Sequence, residues 1–255
     1  AETVLRVPKL GEHLGQHGVT TCAFQPYTIA NSGLSKTFML GAEIHPFGTE
    51  AECWVNMRRL IEERKEERLL LWTYRGQYDH LSHVYGPDDE RSELFLRNFS
   101  DSFEHDLINR LSPELKKGTL LILTADHGQI HVPKNPSYHL INHPEFMNCL
   151  HIQPTGEGRL TYLHLKPGKE STLRDYVEAT WPGQFILHKS ADLLNSGFFG
   201  PGEPMMDIHN RLGDLTMISK GTSYLWWAEE EMPLSGRHGG LTAEEMLVPF
   251  FAVRL

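Results

Sequence analysis

Leu69-Leu70-Leu71-Trp72-Thr73-Tyr74 is a continuous apolar run, and Asp79-His80-Leu81-Ser82-His83 begins five residues after it. A strand buried on both faces of a sheet has no solvent side to mark with polar residues, so this run predicts such a strand. Thr119 to Thr124 repeats the pattern and leads into Ala125-Asp126-His127-Gly128. Helical segments lie between and around the two runs. Leu10 to His17 reads as a short helix closed by Gly18, and Val19 to Phe24 as the strand that follows. Thr49 to about Arg68 reads as an amphipathic helix whose charged run, Glu62 to Arg68, is its solvated face. The segment from about Asp89 to Lys117 predicts one long helix ended by Gly118. Strands alternating with helices imply an α/β fold, with a mostly parallel central sheet flanked by helices.

From about His131 to Pro204 the composition shifts toward Pro, Gly and Asn. Within it, Arg159 to Leu165 resembles half of a hairpin, and Ser171 to Thr180 and Ser190 to Asn195 short helices. Residues 131–204 are therefore expected to form an inserted cap lobe, with 1–130 and 205–255 as the α/β core. In the returning core, Asp214 to Ser219 reads as a strand and Val248 to Val253 as a last core segment. Thr242-Ala243-Glu244-Glu245 has the letters of a capping box, a hydroxyl three residues before a glutamate.

A chain of 255 residues with 40% hydrophobic and 22% charged residues can bury a sizeable core. Its net charge of −9 argues against a surface for nucleic-acid polymers, whose binding relies on basic patches. A small phosphorylated substrate remains compatible, because bound divalent cations invert the local field. No apolar run approaches the roughly 20 residues of a membrane span. Cys22, Cys53 and Cys149 are odd in number and widely spaced, which reads as buried thiols and weakly favours a reducing, cytoplasmic setting. The chain opens on Ala1-Glu2-Thr3, without a signal-peptide pattern and without Met, which points to processing or a fragment.

Three short motifs carry the chemistry. Asp79 and His83 are four apart, on one face of a helical turn just beyond the first apolar run. Asp126 and His127 stand where the second run ends, and Gly128 permits a turn that brings both to one side. His238 is followed by Gly239-Gly240, so its backbone can approach a site closely. In open parallel sheets ligands bind beyond the carboxyl ends of the strands, where the first two motifs fall. Two Asp and three His nearly suffice for two divalent cations of zinc type, a standard device for cleaving phosphate esters. Each motif alone is more often solvated or hydrogen-bonded, and their joint occurrence raises the metal reading. His13 and His17 have zinc spacing but sit before any strand end and read as surface. His45, His139, His143 and His151 read as structural.

Asp79-x-x-x-His83-x-x-Gly86-Pro87, Thr124-Ala125-Asp126-His127-Gly128 and His238-Gly239-Gly240, with Glu245 and Val248-Pro249, resemble the alkaline phosphatase superfamily. The nearest branch is the type I phosphodiesterase/nucleotide pyrophosphatase family. Phe24-Gln25-Pro26 to Ser32 and Arg211-Leu212-Gly213-Asp214 are similar to its bacterial members, so the resemblance spans nearly the whole chain. It implies two zinc ions, with Asp79, His83 and His238 on the first and Asp126 and His127 contributing to the second. It also implies zinc-dependent hydrolysis of phosphodiester or nucleotide pyrophosphate bonds through a covalent phospho-enzyme, with a substrate such as a nucleotide. Phosphomonoesterases, phosphomutases and sulfatases of the same superfamily use similar ligands, and a non-catalytic metal-stabilised domain is the reading from another class.

The family also has an upstream Asp ligand and a Thr or Ser nucleophile in a strand-to-helix turn, and neither has a match here. Ser32, Ser35 and Thr37 are hydroxyls near the start, but their surroundings resemble the segment that follows the nucleophile. Their plain reading is a turn with helix-capping groups. The expectation is therefore a chain whose nucleophile lies upstream of Ala1, on a segment that would act as its partner.

Overall fold

The computed structural model describes residues 7–255. Its contacts divide the chain into two compact units: the first holds residues up to Tyr78, Glu90–Leu123 and Phe251–Leu255, and the second holds Asp79–Asp89 and Thr124–Phe250. The expected lobe boundaries, near 131 and 204, both fall inside the second unit.

The first unit is built on a parallel three-stranded sheet. Thr20–Pro26 lies at its centre, between Glu43–Phe47 and Leu69–Thr73. The centre strand is buried at Thr21 through Gln25. The helix Glu50–Glu63 starts where Thr49 Oγ1 accepts the Glu52 N–H at 3.2 Å. It turns Cys53, Trp54, Met57 and Leu60 inward, the spacing of one helical face. These pack with Cys22, Phe24, Phe47 and Leu107. Trp54 is fully buried, and its Nε1 donates to Ser102 Oγ at 3.1 Å.

Two expectations are corrected here. The long helix over 89–117 is broken. It runs as Glu90–Ser102, passes through a π turn (Phe103–Leu107) and a 3₁₀ turn (Ile108–Arg110), and restarts as Pro113–Lys116. Pro113 accounts for the restart only: it offers no N–H and pushes its predecessor out of the helical region, and Ser112, extended at φ −66°, ψ 156°, caps the new turn. The apolar runs are also less covered than their composition implies. Leu69–Thr73 is an edge strand of the three-stranded sheet and only half-buried. Leu120–Thr124 pairs with Phe250–Arg254 as a separate two-stranded ribbon, with Leu120 58% and Phe250 74% exposed. A two-stranded ribbon has too few neighbours to bury residues on both faces.

The second unit holds a four-stranded antiparallel sheet in the order Thr155–Glu157, Leu160–Leu163, Leu215–Ser219, Phe185–Lys189. Leu160–Leu163 is the half-hairpin expected over Arg159 to Leu165, and Thr155–Glu157 is its partner, which was not read from the sequence. Leu215–Ser219 is buried along its whole length, between two strands drawn from residues 131–204. Helix Glu170–Thr180 contributes Leu173 and Val177 to a core with Phe146, Leu163, Trp181 and Met217. All three cysteines are buried free thiols, and no helix among the described residues is long and apolar enough to cross a membrane.

Emptying the Trp54 site leaves a cavity that the sheet cannot close. Trp54→Ala is expected to lower unfolding stability by about 3–5 kcal/mol, as for other buried aromatic truncations. Leu34→Ala, at a side chain 67% exposed, is expected to stay within about 0.5 kcal/mol. Denaturant unfolding measures both, and a Trp54→Ala loss below about 1 kcal/mol would contradict this account of the core.

Candidate metal centre

Asp79, His83, Asp126, His127 and His238 all belong to the second unit. Asp79 and His83 share the helix Gln77–Tyr85, and the four-residue spacing brings His83 Nε2 to 3.3 Å from Asp79 Oδ1. His238 follows the short strand Gly236–Arg237, which pairs antiparallel with Ile130–His131. That pairing draws the Asp126-His127 turn and the His238 loop together. The His127 and His238 rings stack with centroids 3.6 Å apart, and His238 Nε2 stands 3.8 Å from Asp79 Oδ1. The Ser235 N–H donates to the His83 carbonyl at 2.7 Å, tying the same loop to the helix.

The ligand atoms of Asp79, His127 and His238 all lie within 4.8 Å of one another. His83 joins them through Asp79, and its ring centroid is 5.0 Å from that of His238. Asp126 stands at the rim, with Oδ2 3.8 Å from His127 Nε2 and a side chain 60% exposed.

Main-chain carbonyls orient two of the imidazoles. His83 Nδ1 lies 2.8 Å from the Gly236 carbonyl, and His127 Nδ1 lies 3.0 Å from the Gly128 carbonyl. A carbonyl only accepts, so Nδ1 donates in each, which sets the ring orientation and turns Nε2 toward the carboxylates of the cluster. Fixing a ligand histidine through its other nitrogen is the usual support of a metal site. Burial, reinforced by His127, holds the His238 pKa below its ordinary value, while Asp79 pulls the other way. The net effect favours the neutral ring. A set of carboxylate and imidazole donors fits a divalent ion of zinc type.

Backbone contacts explain the glycines in these motifs. A Cβ on Gly128 would lie 1.9 Å from the Glu244 carbonyl oxygen, and one on Gly236 would lie 2.2 Å from that of Ser82. Main chain runs against main chain at both points, so no side chain can be accommodated.

Some participants were not read from the sequence. Gln129 Nε2 donates to Asp79 Oδ1 at 3.3 Å, and nothing but its nearness to His127 marks it in the sequence. Arg159 is fully buried, although it read only as part of a hairpin. Of the histidines read as structural, His139, His143 and His45 have structural partners, whereas His151 is exposed. His139 Nε2 meets the Ala228 carbonyl at 2.9 Å, His143 lies between Tyr176 and Ser137, and His45 stacks on Phe24.

A second donor cluster, Cys22, Glu43 and His45, lies in the first unit. There the protein supplies its own cation: Arg64 Nη1 is 2.7 Å from Glu43 Oε2 and 3.8 Å from Cys22 Sγ. Burial, with Glu43 beside it, pushes the Cys22 thiol up to about 11, so it stays protonated. Ser32, Ser35 and Thr37 are also in the first unit and have structural partners. Ser32 Oγ caps a helix by accepting from Ser35 N at 3.0 Å, Ser35 Oγ accepts from Gln25 Nε2 at 3.3 Å, and Thr37 Oγ1 donates to the Gly33 carbonyl at 2.8 Å.

An α/β fold with a carboxylate and imidazole cluster defines a broad class, and comparison narrows it. The family model for type I phosphodiesterase/nucleotide pyrophosphatase matches residues 22–240, and the chain belongs to that family. No curated protein matches it significantly. Murine ectonucleotide pyrophosphatase/phosphodiesterase 5 is similar in structure, with TM-score 0.67 and 16% identity over 93% of this chain and 61% of that one. An inactive form of the same murine protein in complex with AMP aligns with TM-score 0.66 and 16% identity, over the same 93% and 61%. Phosphonoacetate hydrolase from Sinorhizobium meliloti, in complex with phosphonoformate, aligns with TM-score 0.68 and 16% identity over 98% of this chain and 69% of that one. These likenesses establish an alkaline-phosphatase-like fold. The chain spans 61% of the length of the murine protein.

The close approach at Gly128 makes a direct prediction. Gly128→Ala is expected to destabilise the protein by at least the roughly 1–3 kcal/mol typical of overpacking, because the opposing atom is backbone and cannot rotate away. Gly197→Ala, where nothing lies within 4 Å but φ is 78°, is expected to show only the smaller cost of a strained φ. Thermal melts of the two variants separate the effects, and an unchanged Gly128→Ala melt would refute the contact.

Proposed function

We propose that this chain carries the metal-binding part of a hydrolase for phosphodiester or nucleotide pyrophosphate bonds. The observation that carries the proposal is the convergence of Asp79, His127 and His238, with His83 and Asp126 adjoining, in a member of this family. Asp79, His83 and His238 would hold one divalent ion, and Asp126 and His127 would contribute to a second, zinc being the metal the donor set suits. Two such ions, bound there, would supply Lewis acidity to an attacking hydroxyl and positive charge to offset that of the phosphate.

The chain's own residues have defined tasks in this scheme. The Gly236 and Gly128 carbonyls hold the His83 and His127 rings through Nδ1, with each Nε2 turned toward a carboxylate of the cluster. Gln129 orients the Asp79 carboxylate through its amide. The attacking hydroxyl opens the phosphate ester in line: its oxygen bonds to phosphorus, the leaving alcohol or phosphate departs, and water then hydrolyses the phospho-enzyme. We assign that hydroxyl, and a further carboxylate ligand, to a segment outside these 255 residues. The occupied hydrogen bonds of Ser32, Ser35 and Thr37 support this assignment.

The substrate is a small phosphorylated molecule, with the 131–204 segment selecting its leaving group. The AMP bound to the murine relative favours a nucleotide. The phosphonate bound to the bacterial one gives a second reading, hydrolysis of a phosphonate. A cleft of about 380 Å³ lined by Gln129, His131, Thr222 and Thr242 is within the size range of small-molecule sites.

Two measurements test the proposal. Zinc titration of the 255-residue chain should find a site that His238→Ala or Asp79→Asn removes and His139→Ala leaves in place; binding indifferent to His238 would overturn the metal assignment. The chain alone should be nearly inactive on bis(p-nitrophenyl) phosphate, since loss of a nucleophile costs several orders of magnitude. A longer form with the upstream hydroxyl should turn this ester over in a chelator-sensitive way, and Asp126→Ala should abolish that. Robust chelator-sensitive turnover by the 255-residue chain would show that the nucleophile lies within it. Phosphonoacetate and a nucleotide pyrophosphate, assayed side by side, separate the two substrate readings.

A further inference from the structure

We propose that the buried pair Arg159–Glu245 is a positioning device for the metal ligands His238 and His127. The inference rests on the metal reading above and concerns residues outside the ligand set. Glu245 reaches both ligand turns at once. Its side chain accepts the Gly240 N–H at 2.9 Å, two residues beyond His238. Its main-chain carbonyl accepts the Gly128 N–H at 2.8 Å, one residue beyond His127. The two rings that stack at 3.6 Å are thus attached to one residue by both its side chain and its backbone.

Arg159 makes that residue rigid. Its Nε and Nη2 donate to Glu245 Oε1 and Oε2 at 2.6 and 2.9 Å, a two-pronged pair, and Nη1 donates to the Ser223 carbonyl at 2.6 Å. Arg159 is 0% and Glu245 2% exposed. The Thr242 N–H supplies a further donor to Oε2 at 3.3 Å. Burial would raise the Glu245 pKa, but the Arg159 fork and the Gly240 N–H overcome it and leave the carboxyl below its ordinary value. The carboxylate therefore stays charged and fixed.

The other flank of His238 is already held. Arg237 donates to Glu231 Oε1 at 3.0 Å and lies over the Tyr224 ring at 3.8 Å. With Arg237 fixed, freedom of the His238 loop resides on its glycine side, where Glu245 acts. Gly239 and Gly240 have no side chain to pack, so the Gly240 N–H bond to Glu245 is what orders that side. Arg159 and Glu245 touch no ligand atom of the cluster and act only through the backbone of its turns.

The test compares zinc affinity with fold stability in the 255-residue chain. Glu245→Gln keeps size and removes charge, and Arg159→Lys keeps charge and removes the fork. Leu173→Ala, in the core of the same unit, is the stability control. Zinc affinity is read by competition with a chromophoric chelator, and ligand geometry by the visible absorption of the cobalt(II)-substituted protein. Glu245→Gln and Arg159→Lys are expected to weaken zinc about 10–100-fold, the usual effect of losing support behind a ligand, and to alter the cobalt spectrum. Leu173→Ala should lower the melting temperature and leave zinc affinity within about twofold, since it touches neither turn. If Glu245→Gln does not fold, Arg159→Lys decides. Wild-type affinity and spectrum in a folded variant, or a loss in Leu173→Ala that tracks its melting temperature, would overturn the proposal. His238→Ala is measured in parallel: if it too leaves zinc binding unchanged, the metal reading itself fails, and if it removes binding while Glu245→Gln does not, only the positioning role fails.

Discussion

The two-pronged contact between the Arg159 guanidinium and the Glu245 carboxylate is the interaction on which the second unit's geometry depends. Removing two charges from water is costly, and their attraction offsets that cost only when the geometry is good and the remaining donors and acceptors are filled. Here Ser223, Gly240 and Thr242 fill them from the backbone. The pair consequently ties together three chain segments that are distant in sequence, around residues 159, 223 and 240–245. A hydrophobic pair of the same volume would fill the space but could not hold the Gly240 N–H.

The ligands show the same economy of means. His83 and His127 are each oriented by a glycine carbonyl, Gly236 for His83 and Gly128 for His127. A main-chain acceptor cannot be rotated away, so the direction of each ring is fixed by the path of the chain. The site is therefore shaped as much by backbone course as by the side chains that stand in it.

This division explains what could be read in the sequence. Asp79 and His83 were legible because helical periodicity alone brings positions four apart together, and Asp126-His127-Gly128 because a strand end and a glycine mark a turn. The family was legible from those motifs taken jointly. The Thr242–Glu245 letters indicated a helix start, yet they could not show that the same carboxylate meets Arg159, 86 positions earlier. Arg159 sits in the hairpin turn between Thr155–Glu157 and Leu160–Leu163, where a polar residue is ordinary, and its burial follows from tertiary packing alone. Composition also misjudged Leu120–Thr124, because an apolar run reports how much cover a strand suits and not what lies over it. The break near Pro113 was visible as a proline, but the helical periodicity on either side masked it.

The main-chain crossings at Gly128 and Gly236 bear on how such a site decays over evolutionary time. A ligand histidine can be exchanged for another residue with the loop intact, since the ring projects into the cluster and not into the packing. The two glycines have no such latitude, with opposing carbonyl oxygens 1.9 and 2.2 Å from where a Cβ would stand. Substitution at the imidazoles of the cluster therefore costs the fold less than substitution at these glycines, and a homologue that had lost the cluster would still be expected to carry the glycines.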